Sequence, residues 1–200
     1  MILAVALSYL VGSIPTAFIL VKLIKKIDIR EHGSGNVGAT NVFRVAGKEL
    51  GVAVLLIDML KGFVAPFYLA HLVQSSAEQI LATKLICGVS AIAGHTWPIW
   101  LKFKGGKGVA TSCGVFLGIA PIAVLCSLSV WIALAFTTKY VSVSSIGAAV
   151  LFPVWVYLIY RDTTLALISI ALAGFIIFTH RSNLERLKNR TERKIGSKKS

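Results

Sequence analysis

The residues of this sequence that could do chemistry lie in polar interruptions between apolar runs. Gly33-Ser34-Gly35-Asn36-Val37-Gly38-Ala39-Thr40-Asn41 is followed closely by Arg44, and Lys102-Phe103-Lys104-Gly105-Gly106-Lys107-Gly108 forms a second cluster. Glycines allow a chain to turn tightly and bring backbone N–H groups near an oxyanion, while Ser, Thr, Asn and Arg add donors in fixed directions. This is anion chemistry, most simply phosphate chemistry. The first segment satisfies G-x-G-x-x-G, but no strand precedes it and no βαβ unit follows, which excludes a dinucleotide fold. It also approaches G-x-x-x-x-G-K-[ST], yet Ala39 stands where a nucleotide-binding loop needs lysine. What remains is an oxyanion-binding loop. In the second segment, Lys102, Lys104 and Lys107 beside Gly105, Gly106 and Gly108 would let amides wrap an anion before a helix starting near Val109, whose N-terminal dipole adds attraction.

Two histidines accompany these segments. His95, in Gly94-His95-Thr96-Trp97-Pro98-Ile99-Trp100, is an imidazole, a group whose unperturbed pKa lies near neutral pH, and suits an acid, a base or a donor. The bland alternative is an interfacial histidine that hydrogen-bonds a neighbouring loop. His180, Arg181 and Asn183 follow the last apolar run directly, and Ser142-Val143-Ser144-Ser145 opens another. Asp58 and Lys61 are three apart, share a helix face and read as a pair that is structural or supports the site from behind, with direct substrate contact as the alternative. The acids are too dispersed for a metal site, and Cys87, Cys113 and Cys126 are odd in number and read as packing residues.

The elements that position these groups are membrane spans. Hydrophobic residues make up 56% of the 200, charged residues only 14%, and mean hydropathy is +0.80, the profile of an all-α polytopic membrane protein. Spans of about 20 apolar residues are expected over 1–21, 52–73, 82–101, 109–120, 121–138, 143–160 and 163–179, seven transmembrane helices in a single domain 1–200. The break at Pro121 follows from charge. With it, Lys22 to Lys48, Lys102 to Lys107, Lys139 and the basic tail 180–200 all face inward, and only Arg161 faces outward, in keeping with the positive-inside rule. The first run has no basic residues before it and so reads as a retained span, N-terminus outside, rather than a signal peptide. Glu78 and Lys84, near an outer end, read as solvated. The net charge of +13 points to inner loops, anionic ligands and membrane lipid rather than nucleic acid. No obligate protein partner is evident. On this topology the polar segments all gather at the cytoplasmic face, and the tail beyond about Arg190 falls outside the chemistry.

The Gly33–Asn41 run, Gly94-His95 with Pro98 and Lys104-Gly105-Gly106-Lys107-Gly108-Val109-Ala110-Thr111, and His180-Arg181-Ser182-Asn183-Leu184-Glu185-Arg186-Leu187 together resemble the bacterial acylphosphate-dependent glycerol-3-phosphate acyltransferase family, across essentially the whole chain. One departure is Arg190, where the family commonly has glycine. The resemblance implies a multi-pass enzyme of the bacterial cytoplasmic (inner) membrane. Its reaction would move a fatty acyl group from acyl phosphate to the sn-1 hydroxyl of glycerol 3-phosphate, giving lysophosphatidic acid and phosphate, the first step of phospholipid synthesis, without cofactor or metal. On that basis Ser34, Gly35, Asn36, Gly38, Thr40 and Asn41 hold one phosphate together with Lys107, supported by Gly105, Gly106 and Gly108. Arg44, Lys104, Ser142 and Asn183 then hold glycerol 3-phosphate, while His95, His180 or a substrate phosphate handles the hydroxyl proton. Soluble-headed glycerolipid acyltransferases place Asp five residues after a histidine; here that position is Trp100. An organic-anion transporter is the alternative class, although no internal repeat is evident.

Overall fold

The computed structural model describes residues 1–77 and 79–196; Glu78 and residues 197–200 of the basic tail lie outside them. Ten α-helices account for the described chain: α1 Ile2–Ser13, α2 Thr16–Lys25, α3 Ala39–Val45, α4 Lys48–Phe67, α5 Ile80–Thr96, α6 Val109–Leu117, α7 Pro121–Thr138, α8 Val141–Tyr160, α9 Thr163–Thr179 and α10 Arg181–Lys188. The chain divides into two compact units, Met1–Ile119 and Ala120–Ser200.

By length and composition, five stretches suffice to cross a membrane: Ile2–Lys25, Lys48–Leu72, Ile80–Leu101, Pro121–Thr138 and Val141–Tyr160. A sixth arises if α9 and α10, bent by 57°, count as one span. α6 has nine residues, about 13 Å of helix against a hydrocarbon core of about 30 Å. Three local features depart from the sequence expectation. The first span is broken at Pro15, which has no N–H to give and forces Ile14 out of helical geometry (ψ 116°). Part of the Gly/Asn segment is the short helix α3, and the start of the basic tail is α10.

In the first unit, packing rests on small residues that let backbones touch. A Cβ on Gly12 would fall on the Ala91 carbonyl and one on Gly94 on the Tyr9 carbonyl, so α1 and α5 are in main-chain contact; Gly62 against Thr111 and Gly114 against Met59 do the same for α4 and α6. Without a hydrophobic drive in lipid, such close approach is the main source of helix association. Tyr9 donates to the Trp97 carbonyl (2.8 Å) and Trp100 to Ser13 Oγ (2.9 Å), fastening the C-terminal ends of α1 and α5. In the second unit α7, α8 and α9 pack in sequence, with Trp131 donating to Ser145 at 3.2 Å. Large apolar side chains such as Leu56, Leu60, Phe136 and Leu167 are exposed on the helices, as lipid-facing residues must be.

Candidate active site

The Gly/Asn segment is organised by one side chain. Asn41, on the first turn of α3 and 2% exposed, accepts from the Ser34 N–H at 2.9 Å through Oδ1, and its Nδ2 donates to the carbonyls of Ile29, His32 and Asn36 at 3.0–3.3 Å. The amide is thus fully engaged in shaping the loop. Gly33 turns there with φ +67°, and a Cβ would strike Asn41 Oδ1, so the close approach requires glycine. Ser34 is exposed and Thr40 and Arg44 half-buried on the same short stretch. Just upstream, Asp28 caps a 3₁₀ turn and pairs with Arg30 at 2.6 Å. The hydrogen bonds and charge of Arg30 hold the Asp28 carboxyl at about 2, well below its usual range.

The Lys/Gly segment has a different support. Gly105 N–H donates to Thr96 O (3.0 Å) and Gly106 N–H to His95 O (3.1 Å), so these amides are turned to the end of α5. The sequence reading had them wrap an anion; the structure explains both glycines instead by space, because a Cβ on Gly105 would meet the His95 carbonyl and one on Gly106 the His95 ring. Lys102 and Phe103 both hold left-handed backbone, φ 52° and 61°, at a cost of about 1–2 kcal/mol each. Lys102 and Lys104 are exposed and Lys107 half-buried beside the start of α6, whose first-turn amides have no acceptor in their own helix. His95 itself is buried, with Nδ1 3.8 Å from Asp58 Oδ1.

In the second unit a residue that sequence reasoning left out gathers three donors. Glu192 Oε1 accepts from Ser142 Oγ (3.0 Å) and Asn183 Nδ2 (2.7 Å), and Oε2 accepts from Arg186 Nε (2.7 Å). The tail beyond Arg190 therefore does reach candidate site residues. Burial pushes the Glu192 carboxyl up, but the bonds from Arg186, Asn183 and Ser142 outweigh it and hold the group below the ordinary glutamate range. The one sequence signal was an acid surrounded by a basic tail. His180 is buried, and its Nδ1 lies 2.8 Å from Ile176 O, which fixes Nδ1 as the protonated nitrogen. Among the described residues no cluster of three His, Cys, Asp or Glu could hold a metal ion.

Similarity to known proteins extends over nearly the whole chain. The sequence model of the family described as glycerol-3-phosphate acyltransferase matches residues 2–190. A glycerol-3-phosphate acyltransferase of Fusobacterium nucleatum is 44% identical over 191 residues, covering 96% of each chain. One from Staphylococcus carnosus is 45% identical over 197 residues, covering 97% of each. Among solved structures, PlsY (YgiH), an integral membrane glycerol 3-phosphate acyltransferase in its glycerol 3-phosphate form, matches with a TM-score of 0.88 at 36% identity, over 98% of this chain and 95% of that one. Its lysophosphatidic acid form matches with a TM-score of 0.85 at 35% identity, over the same shares.

Proposed function

This chain belongs to the glycerol-3-phosphate acyltransferase family and is an integral membrane acyltransferase; from that premise we propose that its acyl donor is acyl phosphate. The glycerol 3-phosphate sn-1 oxygen bonds to the acyl carbon, the carbon–oxygen bond to phosphate breaks, and lysophosphatidic acid and inorganic phosphate leave. The hydroxyl proton passes to a phosphate oxygen. Acyl phosphate is a mixed anhydride, so the step balances without a cofactor or an acyl-enzyme. It needs alignment of the hydroxyl and neutralisation of the leaving phosphate. The observation that carries this reading is that the first unit builds two separate sets of anion donors, by different means, and both reactants carry a phosphate.

In this reading Ser34, Asn36, Thr40 and the amide of Gly38 hold one phosphate with Lys107 and the start of α6, while Asn41 and the Gly35 N–H bond to the His32 carbonyl keep their loop in shape. Within the first unit Arg44 and Lys104 hold glycerol 3-phosphate and His95 orients the groups around it, while Ser142, Asn183 and His180 form the second unit's own set of polar groups. The chain crosses a bacterial inner membrane seven times with α6 as a short crossing, the N-terminus outside and the tail in the cytoplasm. Purified protein given palmitoyl phosphate and glycerol 3-phosphate should form lysophosphatidic acid, and should do so poorly when palmitoyl-CoA replaces the acyl phosphate. Equal rates with the two donors would overturn the reading.

A further inference from the structure

Asp58 and Lys61 sit in the middle of α4, 2% and 6% exposed, and the reaction as described uses neither. Their Nζ and Oδ1 are 2.9 Å apart, and Lys61 also donates to the Ile14 carbonyl at 3.0 Å, the residue bent out of the helix by Pro15. The same Asp58 Oδ1 lies 3.8 Å from His95 Nδ1 and has no aligned hydrogen bond, so the ion pair and the imidazole dipole are what compensate it. Ser13, Thr16, Asp58, Lys61, His95 and Pro98 are among the residues that line a pocket here. A buried ion pair is weak support for stability, because two desolvated charges are usually replaceable by apolar side chains. A buried ion pair retained inside a membrane helix calls for a different explanation.

That explanation lies on the other side of the histidine. His95 presents its ring to Gly106, closely enough that no Cβ fits, and its carbonyl accepts the Gly106 N–H. The contacts therefore run from the break in the first span through Lys61 and Asp58 to His95, and from His95 to the Lys/Gly segment. We propose that Asp58 is a positioning residue: fixed by Lys61, it orients the His95 ring with Nδ1 toward the carboxylate, so that the opposite, Nε2 edge seats Gly106 and thereby places Lys104, Lys107 and the start of α6 against phosphate. This rests on the reading of the Lys/Gly segment as a phosphate binder. It makes His95 a support for the binding segment rather than the base.

The test is a mutant cycle with Asp58→Asn and His95→Gln, read by KM and kcat for each substrate, by the thermal midpoint in detergent, and by the midpoint shift that inorganic phosphate produces. Asp58→Asn keeps size and shape; it should raise KM for a phosphate substrate by about 10–10²-fold, the scale of a misplaced binding group, and remove most of the phosphate-induced shift. In the His95→Gln background the same change should add less than about twofold, because the two residues act in series. Multiplying effects, or an unchanged KM with a lowered midpoint, would overturn the proposal. Should Asp58→Asn not fold, the charge-free pair Asp58→Asn/Lys61→Met carries the same measurements, and failure of that variant to fold would make the cluster purely structural and also overturn it. A wild type that binds inorganic phosphate but does not use palmitoyl phosphate would sink the assigned donor alone, and the cycle would still be read through phosphate binding.

Discussion

The two glycine-containing segments of the first unit, both proposed above to meet phosphate, rest on different supports. The Gly/Asn loop is held from within, by the amide of Asn41 reaching back to Ile29, His32, Ser34 and Asn36, all within twelve residues. The Lys/Gly segment is held from outside, by the carbonyls of His95 and Thr96 and by the ring of a buried histidine. Local support concentrates its sensitivity in one side chain. Remote support distributes it along α5 and α4, so changes far from any phosphate should reach the second segment and leave the first intact.

The sharpest way to break this contrast is Asn41→Ala. It orphans the Ser34 N–H and removes the donor shared by three carbonyls, each buried polar group left unmade costing about 1–3 kcal/mol. Loss of the loop's shape should lower kcat/KM by at least about 10², with a lower thermal midpoint. Activity within threefold of wild type would show that the loop holds itself without Asn41.

Gly106→Ala probes the other support and should act more mildly. The new Cβ meets the His95 ring, and overpacking of this kind costs about 1–3 kcal/mol. Because the ring can yield where a backbone cannot, KM for a phosphate substrate should rise by about 10-fold while kcat changes less. Gly105→Ala, which meets the His95 carbonyl instead, should do more damage. The reverse order would mean that the ring is not the seat of the segment.

How much of this was legible in the sequence depends on how far apart the partners lie. Hydropathy located the long apolar helices and Pro121 starts α7 where a break was expected, because span length and proline stereochemistry are local properties. The break at Pro15 was hidden inside one continuous apolar run, and only the rigid proline geometry revealed it in the fold. Asn41 was identifiable as a site residue by type, but its partners depend on how the chain turns at Gly33. Glu192 was unreadable, since its contact with Ser142 joins positions 50 apart and the surrounding basic residues suggested only a solvated tail.

Glu192 extends the comparison to the second unit, where a carboxylate rather than an amide gathers the donors. Glu192→Gln keeps the shape but removes the negative charge that faces Arg186, at about 1 kcal/mol of stability. The carboxyl is held below its unfolded value of about 4.3. Its contribution to stability is thus complete above that pH and is lost as pH falls through the lower folded value. The thermal midpoint of the wild type should drop below about pH 4 more steeply than that of Glu192→Gln. Parallel curves would show that the three bonds do not bear on stability.

The smallest effect should come from Asp28→Ala. Asp28 caps the 3₁₀ turn Ile29–Glu31 and pairs with Arg30, whose guanidinium also lies over Phe18 at 4.8 Å. Next to the Asn41 network this looks like a second anchor for the loop. The Arg30 side chain, however, is 45% exposed, and an exposed ion pair is screened by water and salt. Ile29 remains buried at 0% exposure in the core with Val21, Val42 and Val54, and its carbonyl still accepts from Asn41, so the turn keeps its position without the carboxylate. Activity should stay within about twofold and be insensitive to added salt. Since the Asp28 carboxyl is held at about 2, any small stability gap between wild type and variant should be constant above about pH 4 and close as pH falls toward about 2. A loss approaching that of Asn41→Ala would mean that the loop depends on its exposed foot as much as on its buried amide, and the division between local and remote support would have to be redrawn.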